Sequence, residues 1–275
     1  MRLPHQIMLE LTAKCNFRCP FCYCLWHESP ALGSPELDTS GWKDVLDRCA
    51  ADGVDDILFT GGETLMRQDA PAILAYARRR LPKATLSLFT NGSLLDEPRI
   101  MRMKRLRIHI ATSLQGLTTY DKMTGTRRKC MRILATMARA SELGWPIAVS
   151  ITVTSVNMHE APDMFAAAAL SGASSIQMGP VMAGGRALAH QELMITMDEW
   201  NTVKESIRAL PDAHVPYSFC DEFICECRND MPHAIMKKWK AEKRTRCEAG
   251  RDFGVIGPSG HFRPCMHNPF SLHLS

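Results

Sequence analysis

Three thiols stand close together near the start of the chain, in Cys15-Asn16-Phe17-Arg18-Cys19-Pro20-Phe21-Cys22. The C-x3-C-x2-C spacing follows a short apolar run (Ile7, Met8, Leu9, Leu11) and lets all three side chains turn toward one centre on a tight loop. Thiolates gathered in this way bind a tetrahedral metal or an iron–sulfur cluster. An all-cysteine zinc site normally needs a fourth ligand from a second knuckle, and no nearby C-x2-C supplies one. A [4Fe–4S] cluster held by three cysteines leaves one iron open for a substrate or cofactor, an arrangement suited to catalysis.

Elements that would position such a loop are legible downstream. Strands are expected at 6–11, 56–60, 84–90, 107–113, 147–154 and 175–178, with helices at 41–51 (behind a Thr39/Ser40 cap), 71–80, 98–104, 129–143 and 162–170. Short apolar strands alternating with amphipathic segments indicate a parallel sheet with crossover helices. Six units curve into a partial barrel, whose chemistry gathers at the C-terminal strand ends. Thr60-Gly61-Gly62-Glu63 ends the second strand, Thr90-Asn91-Gly92 the third and Ser113-Leu114-Gln115-Gly116 the fourth. Thr152 and Asn157 belong to the fifth, and Gly179 to the end of the sixth. Read alone, two glycines let a backbone approach a ligand and Glu63 can accept from an ammonium group, whereas Asn-Gly is a turn former in any protein. A further helix is expected at 197–210 behind Thr196.

Composition narrows the field. The 275 residues carry 33 basic and 29 acidic side chains, a formal net charge of +4 that is too mild to argue for nucleic acid. No apolar run reaches the roughly 18 residues needed to span a membrane, and no N-terminal targeting segment is apparent, so a cytoplasmic protein is expected. In that setting eleven cysteines are not a disulfide framework. Cys49 and Cys130 read as core, and Cys24 as a bystander beside the loop. The ten histidines show no metal-binding spacing. The basic run from Lys237 to Arg246 reads as a solvated face that could attract an acidic peptide.

The cysteine loop, with Phe21 before its third thiol, resembles the signature of the radical S-adenosylmethionine (SAM) enzymes, and the strand-end motifs match the rest of the family pattern. The resemblance implies a partial (β/α)6 radical SAM barrel over residues 1–196. Cys15, Cys19 and Cys22 would hold the [4Fe–4S] cluster. Gly61, Gly62, Glu63, Thr90, Asn91, Ser113, Thr152 and Gly179 would contact SAM, Glu63 through its amino group. Departures are Thr64 where relatives carry Pro, Gln115 where many carry Asp, and Thr124 where some carry Arg.

Residues 197–275 comprise a linker helix and a cysteine-rich segment with a hairpin signal, Gly257-Pro258-Ser259-Gly260 between 253–256 and 261–263. Cys247 and Cys265 flank this hairpin, resembling the opening of the SPASM/twitch extension and implying an auxiliary iron–sulfur cluster, with His267 as a further candidate ligand. Cys220, Cys225 and Cys227 are candidates to complete it or to donate a hydrogen atom to a substrate radical. The expected function is reductive cleavage of SAM followed by hydrogen abstraction from a peptide or protein substrate, as in a ribosomal peptide maturase, with flavodoxin or ferredoxin as electron donor. Cofactor-biosynthetic or sulfatase-maturing relatives are the alternative, and a non-catalytic metal- or cluster-binding module is the alternative of another class.

Overall fold

The computed structural model describes residues 2–212, 214–220, 249–268 and 271–273. In chain order its strands are β1 (Gln6–Glu10), β2 (Asp56–Thr60), β3 (Thr85–Thr90), β4 (Ile108–Ser113), β5 (Ala148–Val153), β6 (Ile176–Pro180), β7 (Tyr217–Phe219), β8 (Phe253–Ile256), β9 (His261–Arg263) and β10 (Leu272–His273). The α-helices are α1 (Thr39–Asp52), α2 (Ala70–Arg80), α3 (Glu97–Leu106), α4 (Tyr120–Thr124), α5 (Cys130–Glu142), α6 (Ala161–Leu170) and α7 (Met197–Arg208). The alternating strand–helix order makes this an α/β fold with a mostly parallel sheet.

The chain divides into two compact units, one of Met1–Asn16, Cys24–Ile110 and Glu248–Ser275, the other of Phe17–Tyr23 and Ala111–Cys247. In the first, β1, β2 and β3 run parallel side by side, and β8 pairs parallel with the free edge of β1. Strands β8, β9 and β10 then continue antiparallel, the expected hairpin among them. Ile7, Leu9, Ile57, Phe59, Leu86 and Leu88 alternate inward at 0% exposure, and Trp42, Leu46 and Cys49 of α1 and Ile73, Leu74 and Ala77 of α2 are buried as well. The cap of α1 is Asp38 rather than Thr39 or Ser40; its carboxylate accepts from the Gly41 N–H at 2.8 Å. In the hairpin, the Arg263 guanidinium meets the Glu10 carboxylate in a fully buried ion pair that ties β9 to the end of β1.

In the second unit β4, β5, β6 and β7 run parallel. Val149, Ile151 and Val153 of β5 turn to the core, while Ala148, Ser150 and Thr152 form a half-exposed face. Strand β7 was not expected. Three residues carry too little alternation to be read, and β7 is held instead by edge-to-face packing of Tyr217 on Phe165 and Phe219 on Trp200, at 5.3 and 5.7 Å between ring centroids. Helix α7 starts with the expected Thr196 cap, closed into a capping box by Glu199.

Candidate functional site

In the first unit, the segment leading into the cysteine loop is braced before Cys15 is reached. Arg67 donates to the carbonyls of Leu11 (2.7 Å) and Leu37 (3.0 Å), and Glu36 accepts from the Thr12 hydroxyl and the Ala13 N–H. The β2 loop lies against the same segment. Gly62 N–H donates to the Thr12 carbonyl at 2.7 Å, and Glu63 N–H to the Lys14 carbonyl at 2.8 Å. A Cβ on Gly61 would lie 2.5 Å from the Thr12 carbonyl oxygen, and one on Gly62 would lie 2.2 Å from that of Lys14. The two glycines are therefore required by the close passage of residues 12–14, a long-range neighbour that a local reading of the motif does not reveal. Cys15 itself is exposed, whereas Cys24 is buried with its thiol toward the Gly61 carbonyl and Cys49 is fully buried, its thiol pushed up to about 12 chiefly by burial.

Glu63 is fully buried. Its carboxylate accepts from the Thr90 hydroxyl (2.8 Å), the Asn91 N–H (2.8 Å) and the Leu65 N–H (3.0 Å). The structure thus brings Gly61, Gly62, Glu63, Thr90 and Asn91 together. Asn91 extends the network, since its amide donates to Asn16, next to Cys15, at 2.8 Å. Burial raises the Glu63 carboxyl above the usual range, and the three hydrogen bonds offset that only in part. All three donors are neutral, and among the described residues no cation is paired with this carboxylate. An acceptor carboxylate held in this way fits the amino group of SAM.

In the second unit, residues 17–23 are fixed at several points. The Arg18 N–H donates to the Thr124 carbonyl at 3.0 Å, the Cys22 N–H to the Cys19 carbonyl, and the Arg186 N–H to the Cys22 carbonyl at 2.8 Å. Phe21 packs on the apolar cluster of Val181, Ala187 and Leu193. The Cys19 thiol lies 4.0 Å from the Thr124 carbonyl oxygen. Cys19 and Cys22 are both half-buried. Among the described residues no three His, Cys, Asp or Glu side chains converge as a site for a single metal ion. A [4Fe–4S] cluster takes each thiolate on a different iron, and the half-buried thiols of Cys19 and Cys22 on this anchored segment have the donor chemistry that fits it.

Ser113 ends β4 and is nearly buried. The turn after it is held from β5: the Thr152 N–H donates to the Gln115 side-chain oxygen at 2.9 Å, and Asn157 donates to the carbonyls of Gln115 (3.0 Å) and Thr152 (2.9 Å). Glu160 completes the clamp. It accepts from the N–H groups of Leu117, Thr118 and Thr119 and from both threonine hydroxyls. Burial pushes its carboxyl up, but these bonds prevail and hold it at about 2. Glu160 went unread in the sequence, where an acid before a helix is an ordinary dipole-matching choice. Cys130, expected in the core, is only half-buried; its thiol donates to the Gly116 carbonyl at 3.5 Å.

A Cβ on Gly179 would lie 2.9 Å from that of Cys220, whose N–H donates to the Met178 carbonyl at 2.7 Å. The structure thus sets Cys220, half-buried, beside Gly179. Cys225, Cys227, Cys247 and the basic run 237–246 lie outside the described residues. Cys265 and His267 are buried together after β9, the His267 N–H 3.4 Å from the Cys265 sulfur. Among the described residues no helix is long and apolar enough to cross a membrane.

The family model of the Radical SAM superfamily matches residues 9–168. The PqqA peptide cyclase of Gluconobacter oxydans (strain 621H) is 28% identical over 267 residues, covering 95% of this chain and 70% of that protein. SuiB of Streptococcus suis bound to its precursor peptide SuiA matches in fold with a TM-score of 0.77 at 13% identity, covering 99% of this chain. This chain spans 63% of the SuiB chain, which has also been solved with S-adenosylmethionine bound. Native anSMEcpe with bound AdoMet and the Cp18Cys peptide gives 0.70 at 13% identity, over 96% of this chain and 74% of that one. At these identities the structural likeness is one of fold. The family implies a [4Fe–4S] cluster and SAM as cofactors, and the match spans more than half of the sequence: the chain belongs to the radical SAM superfamily.

Proposed function

We propose that this protein is a peptide-modifying radical SAM enzyme, a maturase of a ribosomally made peptide. The observation that carries the reading is the alignment of 95% of the chain with a peptide cyclase. In this reading Cys15, Cys19 and Cys22 hold the [4Fe–4S] cluster. When bound, that cluster supplies one electron to cleave the sulfonium of SAM, yielding methionine and a 5′-deoxyadenosyl radical that takes a hydrogen atom from the substrate. The Glu63 carboxylate, kept in place by Thr90, Asn91 and Leu65, pairs with the SAM ammonium group. Ser113 and Thr152 face the rest of SAM, on strand ends fixed by Asn157 and Glu160. Gly179 leaves room for the adenine, and Cys220 beside it, or Cys225 or Cys227, donates hydrogen where the product requires it.

The division at about residue 196, into a radical SAM core and a linker helix with a SPASM/twitch-like segment, is part of the same proposal. So is an auxiliary cluster on Cys247 and Cys265. A cytoplasmic location and a flavodoxin or ferredoxin as reductant complete it. The test is anaerobic incubation of the reconstituted protein with SAM, dithionite and precursor-like peptides encoded beside its gene. Formation of 5′-deoxyadenosine together with a mass change in one peptide is expected. Nucleoside without change in any peptide would remove the substrate class, and a formed cluster yielding no nucleoside would favour a non-catalytic module.

A further inference from the structure

From Lys122 to Arg132 the second unit carries five basic side chains and no acidic one, in a chain whose whole formal charge is only +4. Lys122, Arg127, Arg128 and Arg132 are exposed, as is Arg18. Among the described residues none of these five side chains has an ion pair or a hydrogen bond. The adjoining Asp121 carboxylate is engaged instead by the Arg128 N–H, at 2.9 Å. Two of the placements work against the local fold. Helix α5 has Lys129 at its N-cap and Arg132 in its first turn, with no acid and no capping side chain, although the positive end of a helix favours the opposite charge. Arg128 holds a left-handed backbone (φ 54°), which glycine would take at less cost. Local choices that oppose the fold mark functional positions. Within the same run Met131 is 74% exposed. The run is also joined to the cysteine loop. The Arg18 N–H donates to the Thr124 carbonyl at 3.0 Å, a Cβ on Gly125 would lie 3.0 Å from that of Arg18, and the Cys19 sulfur is 4.0 Å from the Thr124 carbonyl oxygen.

We propose that this basic surface, formed by Arg18 and the segment from Lys122 to Arg132, docks an acidic one-electron carrier protein beside Cys19. The proposal rests on the reading of Cys19 as a cluster ligand. One electron passes from the reduced carrier to the oxidised cluster, and no bond is made or broken. Electron-transfer encounters use small interfaces, and complementary charge speeds the encounter more than it adds affinity. Unpaired cations around one exposed methionine suit a carrier that touches and leaves. They suit less a peptide that must be held through the chemistry.

The test compares the anaerobically reconstituted full chain with its Arg127→Glu/Arg132→Glu variant, using an acidic plant-type ferredoxin that is reduced with dithionite and then desalted. The control, Lys83→Glu/Arg105→Glu, makes the same change of net charge at exposed residues leading into β3 and β4. In the patch variant, ferredoxin affinity by biolayer interferometry and ferredoxin-driven 5′-deoxyadenosine formation should each fall roughly tenfold at low salt. Its rate with dithionite should match the parent, and the control should match the parent in every readout. At about 0.5 M salt the patch variant and the parent should converge. The milder Arg127→Gln/Arg132→Gln should show a smaller loss of the same kind. Unchanged ferredoxin affinity in the patch variant, an equal loss in the control, or an equal loss with dithionite would overturn this inference alone. So would a parent that turns over with dithionite but does not bind the ferredoxin. A parent that carries its cluster and yields no nucleoside with either reductant would overturn the reading beneath it as well.

Discussion

Two buried glutamates, one in each compact unit, solve opposite problems. Glu63 after β2 accepts three hydrogen bonds and is still raised above the carboxylate range; Glu160 after β5 accepts from three N–H groups and two hydroxyls and is held at about 2. Both are ringed by neutral donors, so the number of donors and the depth of burial decide the sign. Glu160 is a finished structural anion whose charge is met within the fold. Glu63 keeps a raised carboxyl with no cation paired to it among the described residues, the state expected of a ligand-binding carboxylate.

Variants can break this comparison. The largest expected effect is Glu160→Ala, which strands three N–H groups beneath the β4 turn and should cost roughly 3 kcal/mol in chemical denaturation. A loss below about 1 kcal/mol would show that the clamp is dispensable. Glu63→Gln should lower SAM affinity roughly 10- to 100-fold, the worth of one charge-assisted hydrogen bond, by calorimetry on the reconstituted protein. Without SAM the same variant sets its amide NH2 against the Asn91 N–H but sheds the burial cost of the charge, so at neutral pH it should lose clearly less than the roughly 3 kcal/mol expected for Glu160→Ala. If it loses as much, Glu63 is a second structural anion and the contrast fails.

Acidity sharpens the comparison further. A carboxyl held at about 2, against an ordinary 4.5, contributes stability that is complete above pH 4.5 and is lost as pH falls toward 2. The deficit of Glu160→Gln should therefore shrink between pH 5 and 2. Glu63, shifted upward, costs stability as pH rises beyond 4.5, so any gain in Glu63→Gln should vanish in acid. Denaturation midpoints of parent and variants across that range test both signs. The smallest effect is expected for Thr90→Val, which removes one donor from Glu63 and should cost about 1 kcal/mol.

What could be read in advance followed from how local its cause is. Strand β2 occupies the expected residues and the other strands of the core start or end within two residues of expectation, because alternation along a strand is a local property. The hairpin was marked by Gly257-Pro258-Ser259-Gly260, but the parallel docking of β8 on β1 and the Glu10–Arg263 pair join residues about 250 apart and left no mark. Helix α4, with five residues, is too short to show a period. Within the candidate site, Glu63, Thr90 and Asn91 stood out by motif, and the structure joins them in one network. Asn157 was legible only as a member of the fifth strand segment, and Glu160 not at all, because their work is to bind backbone groups some 40 residues away.

In the proposed function Cys15, Cys19 and Cys22 support reductive cleavage of SAM. The direct measurement is 5′-deoxyadenosine formation by anaerobically reconstituted protein with SAM and dithionite, beside the Cys15/Cys19/Cys22→Ala variant. Nucleoside is expected from the parent and none from the variant, with about four fewer irons per chain in the variant. Equal nucleoside from both proteins, or none from a parent carrying its cluster, would contradict it.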